Sequence, residues 1–145
     1  MTTATATHTA AAAPSATTTT ATLRAAIHWF EIPATDLGRA QAFYEWVLAT
    51  TLRREPMGAV ELAVFAYDEP ACGGCLMAGA SAPQPSTTGA LVYLNAEPSL
   101  DAVLARVEAA GGRIATPKVQ LPGDMGCFAH VVDTEGNRVG LHAMG

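Results

Sequence analysis

Positive charge is scarce in this 145-residue chain, in which 8 Lys and Arg stand against 13 Asp and Glu for a formal net charge of -5 at pH 7. Nucleic-acid binders draw most of their affinity from clustered Lys and Arg, so no nucleic-acid partner is expected and a small molecule or a protein is. Long apolar runs are missing as well. Although 50% of the residues are hydrophobic, no run nears the roughly 20 residues that a membrane-spanning helix needs, so a soluble chain is expected. Cysteine is sparse: three residues, an odd number without an export signal, fit a reducing cytoplasm better than a disulfide framework. Residues 1–22 lack aromatic and large aliphatic side chains and are almost wholly Ala and Thr. Nothing there offsets the entropy of ordering, so a disordered tail is expected, followed by one domain over 23–145. The tail also lacks the basic start and Leu/Val-type block of a signal peptide, and its His8 reads as a bystander.

From residue 25 onward the chain divides into halves with one plan, about 25–80 and 89–145. "AAIHWFEIP" is rich in β-branched and aromatic residues and predicts a strand. Thr35 or Asp36 can then cap a helix whose stripe is Ala40, Phe43, Tyr44, Val47 and Leu48. Three strands, "LRREPM", "AVELAVFAY" and "CGGCLMAG", follow, and the Pro, Ser and Gly of "ASAPQPSTTG" separate the halves. In the second half "ALVYLNA" is a strand, and Ser99 caps a helix with the stripe Leu100, Val103, Leu104 and Val107 that Gly111 can end. "GRIATPKVQ", "GCFAHVVD" and "RVGLHA" follow as strands, the last after a "DTEGN" turn. Each half is βαβββ. The expected class is α+β, with two modules forming a curved, mostly antiparallel sheet around an open cavity.

With "EIPATDLGRAQAFYEWVL" opening the first half and "DTEGNRVGLH" closing the second, the chain resembles the vicinal oxygen chelate superfamily of glyoxalase, bleomycin-resistance and extradiol dioxygenase proteins. The nearest likeness is to its short bacterial glyoxalase-like members, and it spans residues 25–145. Metal-dependent members carry ligands on the first and last strands of each half. The resemblance places these positions at His28, Cys75, Ala90 and Gly140. Ala90 and Gly140 have no side chain to hold a cation, so the resemblance does not extend to a standard lactoylglutathione lyase.

Strand side chains alternate between faces. If position 28 faces the cavity, Phe30 and Ile32 do too, while Trp29 and Glu31 turn toward the helix, Trp29 as core. If position 140 faces it, so do Arg138 and His142, and the resemblance adds Phe128, His130 and Val132. Neutral imidazole binds divalent metals and exchanges protons near neutral pH, so His28 and His130 are the expected catalytic pair. His28, His130 and Cys75 are the expected ligands of one divalent metal, Zn, Fe, Ni or Mn, if a metal is used. Phe30, Phe128, Val92, Met77 and His142 are the expected substrate lining.

The remaining motifs read as structure. "CGGC" serves glycine-rich strand packing, because no helix follows to lower a thiol pKa. Arg53 and Arg54 mark a solvated strand edge, and Asp124 lies in a turn. Two functions follow from the resemblance. One is an enzyme carrying out proton-transfer, isomerase or lyase chemistry on an oxygenated metabolite. The other is a metal-free protein that sequesters a compound, for which an acidic groove would suit a cationic drug. A homodimer is expected for either.

Overall fold

The computed structural model describes residues 10–12 and 22–145. The expected tail lies largely outside the described residues, and His8 lies wholly outside. The first module comprises β1 (Trp29–Pro33), α1 (Leu37–Leu48), β2 (Leu52–Met57), β3 (Val60–Phe65) and β4 (Gly73–Gly79). The second comprises β5 (Tyr93–Asn95), α2 (Leu100–Val107), β6 (Arg113–Gln120), β7 (Cys127–Val132) and β8 (Arg138–Ala143). The βαβββ plan thus occurs twice, as its sequence pattern predicts. Each module builds its own four-stranded sheet, in the orders β1-β4-β3-β2 and β5-β8-β7-β6. In both, the first strand runs parallel to the last and the other neighbours are antiparallel.

Local chemistry sets the helix ends. The Asp36 carboxylate accepts from the Arg39 amide at 3.0 Å and the Ser99 hydroxyl from the Ala102 amide at 3.3 Å, satisfying donors that a helix start leaves free. α1 buries Leu37, Ala40, Phe43, Tyr44 and Val47, and α2 buries Leu100, Val103 and Val107. These stripes meet Ile32 and Leu76 from the first sheet and Leu94, Val131 and Leu141 from the second, so one apolar core joins the modules. No helix among the described residues is long and apolar enough to cross a membrane.

A polar join reinforces the core. Glu135, in the β7–β8 turn, accepts from the Thr35 and Asp36 amides at 3.0 and 2.8 Å and from Arg39 Nε at 2.7 Å. Burial works against the charged form of this carboxyl, but the bonds from Arg39, Asp36, Thr134 and Thr35 outweigh it and hold its pKa down at about 2. Asn137 Nδ2 donates to the Pro33 carbonyl at 2.7 Å, and the buried Tyr44 hydroxyl donates to Asp133 at 2.6 Å.

Since the core lies on the helix side of both sheets, the opposite faces are open. The register decides which residues they carry. Ile32 pairs with Leu76 and Leu94 with Leu141, all four in the core. Their neighbours Glu31, paired with Cys75, and Tyr93, paired with Gly140, therefore face the other way. The expectation at the first strands is corrected here. His28 and Ala90 both precede their strands and are exposed, and the positions opposite Cys75 and Gly140 are Glu31 and Tyr93, three residues further on in each case. An odd offset exchanges faces. Ile32 is consequently core and Phe30 packs against it, whereas Trp29, 40% exposed, and Glu31 lie on the open face rather than under α1.

Candidate functional site

The open face of the second sheet can be laid out as a grid. Pairing aligns Arg113, Val132 and Arg138 in one row, Thr116, His130, Gly140 and Tyr93 in the next, and Val119, Phe128, His142 and Asn95 in a third. β6 shifts register between Ile114 and Thr116 and again between Thr116 and Val119. Such bulges re-aim side chains, and here they set Thr116 opposite His130. Gly140 has a specific reason to be glycine. A Cβ there would come within 2.4 Å of the Tyr93 ring, which lies across the bare backbone of β8.

Tyr93, unforeseen in the sequence reading, joins His130 in a polar chain. The Tyr93 hydroxyl lies 2.8 Å from His130 Nε2, Arg138 Nη2 donates to His130 Nδ1 at 2.8 Å, and the same Nη2 donates to Thr116 Oγ1 at 3.1 Å. A guanidinium donates only, so Nδ1 is the acceptor in this contact and Nε2 carries the proton of the neutral ring. His130 therefore donates to the Tyr93 oxygen, and the Tyr93 hydroxyl hydrogen is left for another acceptor. Burial and the Arg138 charge both lower the His130 pKa, in keeping with a neutral ring. The rings of Tyr93 and Phe128 pack edge to face at 6.0 Å, and Phe128 lies 5.2 Å from the His130 ring.

The first sheet's open face differs. Cys75 is completely buried there among Leu62, Val64 and Met77. Burial and the nearby Glu31 charge raise its thiol pKa to about 11, against a lowering hydrogen bond with Trp29. Gly73 and Gly74 of the "CGGC" stretch serve packing as expected: an added Cβ would meet Tyr67 at 2.5 Å and Phe30 at 2.3 Å, respectively. Arg53 and Arg54 stand exposed on the edge strand β2, and Asp124 sits in a turn.

The expected site residues thus fall into four places. Phe128 and His130 meet on the second sheet beside His142, whose Nε2 bonds the Met125 carbonyl at 2.7 Å. Cys75 and Met77 lie on the first sheet's open face. Phe30 and Val92 line a groove of about 740 Å³ between β1 and β5 that Tyr93 also lines. His28 lines an adjoining groove with Arg24, Tyr67 and Glu69.

These donors do not fit a metal centre within one chain. Both His130 ring nitrogens are engaged, the Cys75 thiol is held protonated, and Ala90 and Gly140 offer no donor. Among the described residues no three His, Cys, Asp or Glu side chains converge as a metal would require.

Two βαβββ modules with open sheet faces define a class of fold, and comparison with known proteins places the chain within it. The sequence profile of the Glyoxalase/Bleomycin resistance protein/Dioxygenase superfamily matches residues 26–141, and the chain belongs to that superfamily. Similar solved structures include a glyoxalase I mutant from Zea mays, with 21% identity and a TM-score of 0.60 over 80% of this chain and 45% of that one. This chain therefore spans about half the length of the maize enzyme. TnmS3, an antibiotic binding protein from Streptomyces sp. CB03234, is 21% identical with a TM-score of 0.60, covering 85% of this chain and 98% of its own. A glyoxalase/bleomycin resistance protein from Albidiferax ferrireducens T118 is 19% identical with a TM-score of 0.60, covering 81% and 98%. No curated protein matches the sequence. At these identities the structural likenesses establish the fold alone.

Proposed function

We propose that the chain binds a small, oxygenated, ring-bearing molecule on the open face of the second sheet and needs no metal there to do so. The observation that carries this reading is the Tyr93–His130–Arg138–Thr116 chain, which leaves the Tyr93 hydroxyl hydrogen free beside the Phe128 ring. A few convergent polar groups beside apolar lining are what a small-molecule site requires. Antibiotic binding, the role named for TnmS3, is one use of this fold that such a site would serve. A second copy of the chain, in a cytoplasmic homodimer, would cover the open faces, where Trp29, Tyr93 and Val119 expose 40%, 49% and 39% of their surface.

A second reading is favoured by the 2.8 Å Tyr93–His130 contact: the Tyr93 hydroxyl hydrogen, its oxygen held by the His130 Nε2–H, polarises a bound carbonyl oxygen while a water molecule takes the proton from the adjacent carbon, as in isomerase or lyase chemistry. Chelator-treated protein titrated with benzamide tests the first reading by NMR. Shifts concentrated at Tyr93, Phe128 and His130, and weakened in Tyr93→Phe, are expected; shifts confined to the groove around His28 would overturn it. Proton exchange into acetophenone in D₂O tests the second. Catalysed exchange lost in both Tyr93→Phe and His130→Ala supports proton transfer, and exchange equal to buffer alone refutes it.

A further inference from the structure

The grid of the second sheet's open face contains no Asp or Glu, in a chain whose acids outnumber its bases 13 to 8. The basic residues in the salt bridges found among the described residues are Arg39, Arg53, Arg54 and Lys118. Neither Arg113 nor Arg138 has a carboxylate partner among them. Arg138 is half-buried, spends its Nη2 on the neutral Thr116 and His130, and keeps its Nε buried with no hydrogen-bond partner. A guanidinium has five donors and no acceptor, and holding one partly desolvated without a counter-charge is costly. That cost is offset when an anion binds, because charge-assisted pairing with an oxyanion, here at the Nη1 that makes none of these bonds, is among the strongest contacts open to Arg. Asp68 and Glu97 line the groove that Tyr93 shares with β1. The acids thus lie in that groove and the free cations on the grid, which orients a ligand with its negative end toward Arg138.

We propose that the ligand of this face is a small carboxylate with an apolar, ring-bearing body. The carboxylate pairs with Arg138 and accepts the free Tyr93 hydroxyl hydrogen, and the body packs against Phe128. This names the ligand class of the site under "Proposed function" and rests on that reading. It also reverses the expectation of a cationic drug, which followed from the acidity of the whole chain rather than from this face.

Benzoate and benzamide, alike in shape and differing in charge, are the probes, each titrated by NMR into the full chain. Benzoate should bind at least tenfold more tightly than benzamide, and the preference should shrink with added salt. Arg138→Gln should abolish the preference, leaving benzoate no tighter than benzamide in the same variant, and Arg138→Lys should recover part of it. Amide resonances of the first module that match those of the unaltered chain show that each variant is folded. Equal affinities in the unaltered chain, or a preference that survives Arg138→Gln, would overturn the carboxylate proposal and leave the binding site standing. Absence of binding by both probes would overturn the site as well.

Discussion

The two modules share a plan but not a surface chemistry. At matching positions the first sheet's open face carries Glu31 opposite Cys75, and the second carries Tyr93 opposite Gly140. Around Cys75 that face is apolar, with Leu62, Val64 and Met77 buried. Around Gly140 the missing side chain lets Tyr93 lie flat and reach His130. One duplicated scaffold has thus filled one face with side chains and equipped the other with polar groups. The difference shows in one cross-strand pair, Glu31 with Cys75 in the first sheet and Tyr93 with Gly140 in the second.

The comparison presumes that both faces stand on one core, and Glu135→Gln breaks that premise most severely. Its side chain is fully buried against Arg39 and ties the β7–β8 turn to the start of α1. Loss of the charge should cost about 3 kcal/mol in urea unfolding. The carboxyl is ordinarily near 4.3 when unfolded and is held at about 2 here. Its contribution is therefore full above about pH 4.3 and is lost as the pH falls through about 2. The variant should lack that part of the acid dependence.

Exchanging the side chains of the last strands sharpens the contrast. Gly140→Ala puts a Cβ within 2.4 Å of a ring that is 49% exposed, so the ring can swing outward. The expected stability cost is about 1–2 kcal/mol, and benzamide binding should fall with it because Tyr93 leaves His130. Cys75→Ala removes a buried sulfur on the first sheet and should cost about 1 kcal/mol without changing benzamide binding. Smallest of all, the exposed His28→Ala should stay within about 0.5 kcal/mol of the unaltered chain and leave probe binding intact. A large loss of binding in His28→Ala would instead tie the first module to the site.

Much of the fold was legible in the sequence because helices and turns announce themselves locally. Asp36 and Ser99 are the caps, the α1 and α2 stripes are buried except for the half-buried Leu48 and Leu104, and Gly111 takes φ +96° after α2. The last strands also read well, which placed His130, Phe128, Arg138 and His142 on one face. The first strands did not. In "IHWFEIP" both faces bear large apolar residues, Trp29 outside and Phe30 and Ile32 inside, so alternation could not show which face was buried. Tyr93 was missed for the same reason, since "ALVYLNA" is apolar on both faces and only Tyr93–Asn95 pairs as strand. The Tyr93 contact with His130 depends on a parallel pairing between β5 and β8 that no local pattern encodes. The one available signal was a glycine in mid-strand, which marks a place where something bulky approaches.

The central claim is that His130 is committed to Tyr93 and Arg138 as a neutral, Nε2-protonated ring. Nitrogen-resolved NMR of the histidine rings, followed from pH 8 to 4 and again with one equivalent of Zn²⁺, tests it most directly. The account predicts the Nε2–H form of His130 and a midpoint below the usual 6.5 that rises in Arg138→Gln. It also predicts that His130 resonances are unmoved by zinc. A His130 signal that shifts stoichiometrically with zinc, together with that of His28 or in the company of a changed Cys75, would contradict it.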